Sequence, residues 1–565
     1  MSSMLAERLQ HARRLLLDNF GYRDFRPAQL RVVQSILGGH DTLGVLPTGG
    51  GKSICFQIPA LVLGGLTIVV SPLISLMQDQ VDALARRGIS AAFLNSSLTR
   101  VQADQIMGRI AAGTLSLLYV SPERLASLAG ELRHQGVRPS LLAIDEAHCI
   151  AEWGHDFRPD YRELAKSRYL LGNPSTIALT GSATPEVRDD IVQTLRLRNA
   201  RTIIGSFDRP NLWFGVVRVK DEAARLAALM NTLGTADRMA IVYAPTRGQT
   251  EILARALRER GFRASPYHAG LAGPGRETTL RSFLQDELDI VVATSAFGMG
   301  IDKPTVRLVV HWNMPPTMES YYQEAGRAGR DGRPARCVLL HHPEDTALAL
   351  RQLSTTFPSR RLLHRIWQDP HAVPGVSKSV LESAERLRRE LKPLDGPVDW
   401  KSVARRECRA RERLHVMQRY AGSRICRRQI MLEYFGERRG TCHGCDRCAG
   451  KASPGDSREA RPLDSRRWGK PGGNSLATPD VAPEISQDQG LAGVLNGWRE
   501  AVARERAIPG YAILSDNAIR EIARTQPCDL RALSLIEGIG PRFIAKHGAE
   551  VLEKVEQGPP IRKES

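Results

Sequence analysis

Short runs of Val, Ile and Leu recur along the first 345 residues and alternate with longer stretches of helical periodicity. Thr42 to Leu46, Thr67 to Val70, Leu115 to Val120, Leu141 to Ile144 and Thr176 to Leu179 form one series. Met239 to Tyr243, Ala264 to Tyr267, Asp289 to Ala293, Arg307 to His311 and Cys337 to Leu340 form a second. Continuous apolar runs separated by helices belong to buried parallel strands. The pattern predicts two α/β domains, residues 1–206 and 207–345, joined near Ser206 to Trp213 and enclosing a cleft. The texture then changes. Residues 346–450 are helix-like and laden with Arg, 451–486 carry Pro, Gly, Ser and Arg without periodicity and read as a linker, and 487–560 are helical again.

Composition narrows the class. At 565 residues, 42% apolar and 25% charged, the chain is long enough for three or four domains with cores of their own. Its 79 Lys plus Arg against 61 Asp plus Glu give a net +18, which favours an anionic partner such as nucleic acid or a membrane surface. Arg outnumbers Lys heavily, which codon bias in a GC-rich genome and selection for phosphate binding both explain. The excess is not uniform: residues 360–470 hold a net +13. Codon bias acts everywhere, so this clustering predicts a track for an anionic partner through the basic helices, the cysteine region and the linker. No apolar run reaches the ~18 residues of a spanning helix, and the N-terminus lacks a signal-peptide core. A soluble intracellular protein with no membrane partner is predicted. Nine Cys are too few for a disulfide scaffold, and four of them crowd between 426 and 448, pointing to metal in a reducing compartment.

Pro47-Thr48-Gly49-Gly50-Gly51-Lys52-Ser53 follows the first apolar run and precedes the apolar stretch Ile54 to Leu63. Gly49, Gly50 and Gly51 let backbone N–H groups, with that of Thr48, wrap phosphate oxygens; Lys52 reaches the β and γ phosphates; the Ser53 hydroxyl serves magnesium. Leu46 stands where the strict phosphate-loop pattern has its first glycine. Asp145 and Glu146 end the run Leu141 to Ile144, where Asp145 can hold magnesium and Glu146 can orient or deprotonate an attacking water. Arg327 and Arg330, between glycines in the second domain, are placed to stabilise charge on a γ-phosphate. Together these residues spell nucleoside triphosphate hydrolysis.

With these motifs in place, the chain resembles the RecQ DNA helicases of helicase superfamily 2. The resemblance implies two tandem RecA-like parallel-sheet domains, then a helical zinc-binding region and an all-helical HRDC-like domain. Phe20-Gly21-Tyr22 with Phe25-Arg26-Pro27 and Gln29 is similar to the family's adenine-reading motif. It implies ATP, with Tyr22 and Arg26 flanking the base and Gln29 bonding its edge. Ser71 to Gln80, Ser121 to Leu125, Thr180 to Pro185 and Ala293 to Pro304 resemble motifs Ia, Ib, III and V, and Gln323 to Gly332 resembles motif VI. After Asp145-Glu146-Ala147-His148, the stretch Cys149 to Tyr161 resembles the aromatic-rich loop that sets RecQ enzymes apart. His148, Trp153, His155, Phe157 and Arg158 would couple DNA contact to hydrolysis. Trp153 and Phe157 can stack on bases while Arg158 adds charge.

Cys442, Cys445 and Cys448 on a tight turn, with Cys426 at a helix start, have the spacing of a closed four-thiolate zinc site, structural rather than catalytic. His443 and Cys408 are the nearest substitute ligands. Flanking Arg427, Arg428, Arg438, Arg439 and Arg447 would favour thiolates and could contact DNA phosphates. The wording around Cys426 and Tyr434-Phe435-Gly436-Glu437 also resembles the RecQ zinc region. The winged helix that usually follows zinc in this family has no room in 451–486. Residues 357–420 read either as a solvated helical spacer or as a small helix-turn-strand unit in its place, with a helix over Ser377 to Leu391, a turn at Pro393 to Pro397, and Val398-Asp399-Trp400. Trp498 to Tyr511 and Ser534 to Val555 resemble an HRDC domain. Its Gly538-Ile539-Gly540 turn can offer N–H groups to a phosphate or simply cap a helix.

The resemblance implies an ATP-dependent 3′–5′ DNA helicase using ATP, Mg2+ and Zn2+ on single-stranded, forked or tailed DNA, cytoplasmic and nucleoid-associated, in recombination and repair. Two alternatives stand beside it: a translocase that remodels protein–DNA complexes and unwinds weakly, and a DNA-binding or annealing protein with a silent ATPase.

Overall fold

The computed structural model describes residues 3–47, 49–95, 98–151, 157–234, 239–298, 303–369, 373, 375–391, 399–438, 442–448, 490–505, 513–536 and 538–557. They form two compact units. One holds the chain up to Ala347 and again from Met417 through the cysteine cluster; the other holds Leu348–Val416 and the C-terminal helices. The helix Trp400–Gly422 carries the chain from one to the other.

The first unit contains two all-parallel sheets. Strands β1 Thr42–Val45, β2 Thr67–Val70, β3 Ala91–Leu94, β4 Leu117–Val120, β5 Leu141–Ile144, β6 Ser175–Thr180 and β7 Arg201–Ile204 lie in the order β3-β4-β2-β5-β6-β1-β7. Strands β8 Leu212–Arg218, β9 Ala240–Tyr243, β10 Ala264–Tyr267, β11 Ile290–Ala293, β12 Leu308–His311 and β13 Ala335–His341 lie in the order β10-β11-β9-β12-β13-β8. Each of the ten apolar runs is a strand. Three more strands, β3, β7 and β8, escape the hydrophobic pattern. They lie at sheet edges, where β3 and β7 alternate or lose burial, so selection for a continuous apolar run is weak there. Packing between neighbouring strands is tight at β1: a Cβ on Gly44 would fall 2.6 Å from Leu179 Cδ2. The helix Pro27–Leu37 closes over it with Val32 and Ile36 in the first sheet's core.

The predicted single region 346–450 is divided between the units. In the second unit, Leu363, Ile366, Ala384, Leu387 and Val403 form a small core with Trp367 stacked on Trp400 at 5.3 Å. The helix expected over Ser377 to Leu391 is Lys378–Leu391. The turn at Pro393 to Pro397 lies outside the described residues. Of the expected strand Val398-Asp399-Trp400, Val398 lies outside the described residues and Trp400 is the first residue of a helix. Asp399 Oδ1 instead accepts the Lys401 and Ser402 amides, each at 3.1 Å, and thereby starts the helix Trp400–Gly422. The described residues of the unit form helices and no strands, with its C-terminal bundle built from Leu491–Glu505, Asp516–Thr525, Leu530–Ser534 and Pro541–Gln557 around Leu495, Ile519, Ile522, Leu533 and Val551. Among the described residues no helix is long and apolar enough to cross a membrane.

Candidate nucleotide site and zinc module

Parallel strands send their carboxyl ends to one edge, so the loops after β1, β5 and β6 converge. Gly49 (φ 77°) and Gly51 (φ 69°) adopt the left-handed conformation that bends the loop after β1. A Cβ on Gly51 would fall 2.5 Å from Gln29 Nε2. That crowding defines a cradle only glycine can line, which fits a phosphate chain. Thr48 lies outside the described residues. Ser53 stands immediately before the helix Ile54–Leu63.

Glu146 follows β5 with φ 47°, a conformation costly for a residue with a side chain and frequent at functional sites. The strain turns its carboxylate to Lys52 Nζ at 3.6 Å and His148 Nδ1 at 3.3 Å. His148 Nδ1 also lies 3.0 Å from Thr180 Oγ1 at the end of β6, joining this site to the Thr180–Pro185 loop. Burial pushes the Asp145 carboxyl up to about 6, the Glu146 carboxylate adds to the rise, and Lys52 opposes it. A buried carboxyl short of countercharge beside a phosphate cradle fits a divalent cation. Lys52, Ser53 and Asp145 would hold magnesium nucleotide here.

The N-terminal motif also contacts the phosphate loop. Arg26 Nη1 donates to the Gly49 carbonyl at 2.6 Å, and Gln29 Nε2 donates to the Gly50 and Gly51 carbonyls at 3.0 Å each. Gln29 is buried and its amide is taken up by the loop, while Tyr22 is exposed and open for stacking. Arg330 and Arg327 also part company. A Cβ on Gly49 would sit 3.5 Å from Arg330 Cγ, so Arg330 lies over the phosphate loop. Arg327 is buried in the second sheet's loops, its Nη2 3.6 Å from where a Gly298 Cβ would be. Sequence reasoning missed Arg209. From the segment joining the two sheets it donates to the Ala328 and Gly329 carbonyls at 3.2 and 3.0 Å, and its Nη1 is 3.6 Å from a Cβ on Gly49. An Arg within Asp208-Arg209-Pro210 carries no signal of that reach. Gln323 Nε2 donates to Ser182 Oγ at 2.7 Å, a further link between the sheets.

Trp153 and His155 lie outside the described residues. At the end of that loop Arg158 Nη1 donates to the Pro72 carbonyl at 2.8 Å, and Tyr161 Oη donates to the Asp145 carbonyl at 3.0 Å. Arg158 is therefore anchored to the segment after β2 instead of being presented as open charge, and Phe157 is half-buried. The loop is tied at the backbone to the acidic strand end.

Cys426, Cys442, Cys445 and Cys448 bring all four sulfurs within 4.8 Å of one another, with Sγ–Sγ distances of 3.8 Å for Cys442–Cys445 and Cys445–Cys426. Four thiolates at about 2.3 Å from a tetrahedral zinc lie about 3.8 Å apart, so the set fits the ion. Burial raises the Cys445 thiol, but the Arg427, Arg447 and Cys448 backbone N–H groups outweigh it and hold the thiol below its ordinary range. His443 is exposed, 3.8 Å from Asp208. The other substitute ligand, Cys408, is bonded to Cys528 in the second unit.

Arg427 and Arg428 correct the expectation of phosphate contact. Both are fully buried. Arg427 grips Asp446 through two bonds of 2.9 and 3.1 Å. Arg428 bonds Asp208 and the carbonyls of Arg209 and Leu212. Asp446 N donates to the Phe214 carbonyl at 3.0 Å, Glu437 accepts from Ser206 Oγ at 2.6 Å and Phe207 N at 2.7 Å, and Phe435 stacks on Phe207 at 4.5 Å. The module is thus a clamp on the segment that joins the two sheets. Arg439 lies outside the described residues, and Arg438 and Arg447 are exposed. In the C-terminal bundle, the Ile539 N–H bonds the Ile536 carbonyl at 3.1 Å.

A phosphate loop and acidic strand end in one parallel sheet, met by an arginine loop from a second, define a tandem RecA-like protein with a zinc module behind its hinge. Residues 26–191 match the DEAD/DEAH box helicase family, 224–332 the helicase conserved C-terminal domain, 386–449 the RecQ zinc-binding family and 488–555 the HRDC domain. The zinc-binding match begins at 386, so half of the stretch read as an insert belongs to that region. The chain is 33% identical to the ATP-dependent DNA helicase RecQ of Bacillus subtilis, covering 97% of this chain and 99% of that one. It is 40% identical to the ATP-dependent DNA helicase RecQ of Pasteurella multocida over 76% of this chain, and spans 61% of that relative's length. A solved helicase Lhr of Mycobacterium smegmatis, bound to ssDNA and AMP-PNP, aligns at TM-score 0.46 and 20% identity over 68% of this chain and 55% of that one. The chain belongs to the RecQ family.

Proposed function

We propose that this protein is an ATP-dependent DNA helicase that couples hydrolysis to 3′–5′ movement along single-stranded DNA and to duplex opening, in recombination and repair. The observation that carries the reading is the strained Glu146, turned to Lys52 and His148 under an arginine from the opposite sheet. Magnesium at this site would neutralise phosphate charge. Lys52 binds the β and γ phosphates, Asp145 and Ser53 hold the cation, Glu146 orients the attacking water, and Arg330 stabilises charge on the γ-phosphate. Arg209 positions the arginine loop through its carbonyls. His148 passes the state of the site to the Thr180–Pro185 loop, and the Tyr161 and Arg158 anchors pass it to the aromatic loop. DNA-stimulated ATPase and displacement of a strand from a 3′-tailed fork should both vanish in Lys52→Ala. Retention of either by that variant overturns the assignment.

A translocase that remodels protein–DNA complexes and unwinds weakly is favoured by one specific observation. Only residues 450–487 separate the zinc-binding match from the HRDC match, which leaves no room for a strand-parting winged helix. ATPase strongly stimulated by single strands, with strand displacement barely above background, selects that reading.

A further inference from the structure

Cys408 and Cys528, separated by 120 residues in sequence, meet in the second unit with their Cα atoms 6.2 Å apart. The other seven cysteines have different surroundings: four make the zinc cluster, and Cys55, Cys149 and Cys337 are buried singly in the first unit. Cys408 lies on the helix Trp400–Gly422 and is buried; Cys528 lies just before the helix Leu530–Ser534 of the C-terminal bundle and is exposed. The apolar cores on the two sides are separate. Charges flank the sulfurs: Arg409 to Asp529 at 3.6 Å and His415 to Glu521 at 3.7 Å, both pairs partly solvated. Such pairs contribute about 0–1 kcal/mol each, so a covalent bond dominates this seam. Glu412 stands one helical turn after Cys408, with a carboxylate oxygen within 4.8 Å of both sulfurs.

We propose that Cys408 and Cys528 are a reversible redox site, a bridge that fastens the C-terminal bundle to the helix leading into the zinc module. Low-molecular-weight disulfides of the glutathione class are the oxidant. The exposed Cys528 thiolate attacks one sulfur of the small disulfide, forming a mixed disulfide and expelling one small thiolate. Cys408 gives its proton to Glu412 and attacks the Cys528 sulfur, expelling the second small thiolate. Two protein thiols and one small disulfide become one protein disulfide and two small thiols. Burial raises the Glu412 carboxyl ahead of the opposing Arg409, which suits it to receive that proton. With the bond closed the bundle is held covalently on the helix; with it open it is held by polar contacts such as Arg409–Asp529, His415–Glu521 and Arg524–His415.

The full-length, zinc-loaded protein is treated with glutathione disulfide or with dithiothreitol, alkylated and digested. The oxidised sample should yield a Cys408–Cys528 linked peptide, hydrogen exchange across residues 530–534 should slow at least tenfold relative to the reduced sample, and zinc should stay at one per chain. Cys528→Ser should remove the linked peptide and the exchange difference, and Glu412→Gln should slow closure while leaving its end point unchanged. Absence of the linked peptide after oxidation, or a linked peptide with equal exchange in both states, overturns the proposal. So does a second zinc per chain that Cys528→Ser removes, since the cluster would then be a metal site. These readouts do not depend on ATPase or helicase activity.

Discussion

Glu146 and Asp345 show how single residues store free energy for different ends. Glu146 keeps a left-handed backbone because Lys52 and His148 hold its side chain, and such strain is characteristic of working sites. Asp345 is structural. It sits 2.8 Å from Arg225, with both side chains 2% exposed, and accepts from Asn313 Nδ2 and His342 N. Burial pushes its carboxyl up, but its hydrogen bonds and Arg225 outweigh this and hold it below the ordinary range. A depressed folded-state value means that the contribution is full above about pH 4, the unfolded value, and is lost as pH falls through the folded value. Asp345→Asn should cost about 3–5 kcal/mol in urea unfolding at neutral pH, because it removes the buried one of Arg225's two carboxylate partners and leaves only the solvent-facing Glu222. The gap to the wild type should narrow on acidification below that point; a gap independent of pH would refute this account.

At the scale of elements, the zinc module explains why a positive segment need not be a DNA track. Arg406, Arg427 and Arg428 are buried, the first bonded to Glu390 at 2.7 Å. Part of the charge excess is therefore internal wiring. Arg428→Ala should lower the melting temperature and slow ATP turnover with little change in the salt dependence of DNA binding. If the helix Lys378–Leu391 meets phosphates, Arg386→Ala and Arg389→Ala, both at exposed positions, should each reduce the salt slope by about 1. Glu437→Gln replaces a carboxylate that accepts from Ser206 and Phe207; it should retain zinc, cost about 1.5–3 kcal/mol, and weaken ATPase by loosening the hinge. Zinc content by metal analysis, beside thermal melting, separates that loss from loss of the metal.

Across the whole molecule, two compact units are connected by the helices Asp345–Thr356 and Trp400–Gly422 and by residues 449–489, and the nucleotide site lies wholly in the first unit. A truncation ending at residue 449 should therefore keep DNA-stimulated ATPase and bound zinc while losing whatever affinity the C-terminal bundle contributes. Loss of ATPase in a truncation that melts like the full chain would show that the second unit acts on the site. Chelating zinc should act in the opposite way and disable the first unit, because the clamp on residues 206–214 is built from the cysteine-bearing segment.

Sequence by itself determined ten of the thirteen strands, the phosphate loop, the acidic strand end, the four-cysteine cluster and the family. Each depends on local repetition or tight spacing: an apolar run between helices, glycines before Lys52, thiols three residues apart. Three of the four edge strands, β3, β7 and β8, were illegible, the first two because much of their surface is solvated. The helix start at Asp399 was misread for want of its capping geometry. Tertiary structure decided what long side chains do. An Arg reaches several residues' distance in any direction, and its spacing does not say whether it finds a phosphate, a carboxylate or a carbonyl. Only the fold shows Arg428 and Arg209 bonded to the hinge and the arginine loop, Arg158 anchored at Pro72, and Cys408 facing a sulfur 120 residues away.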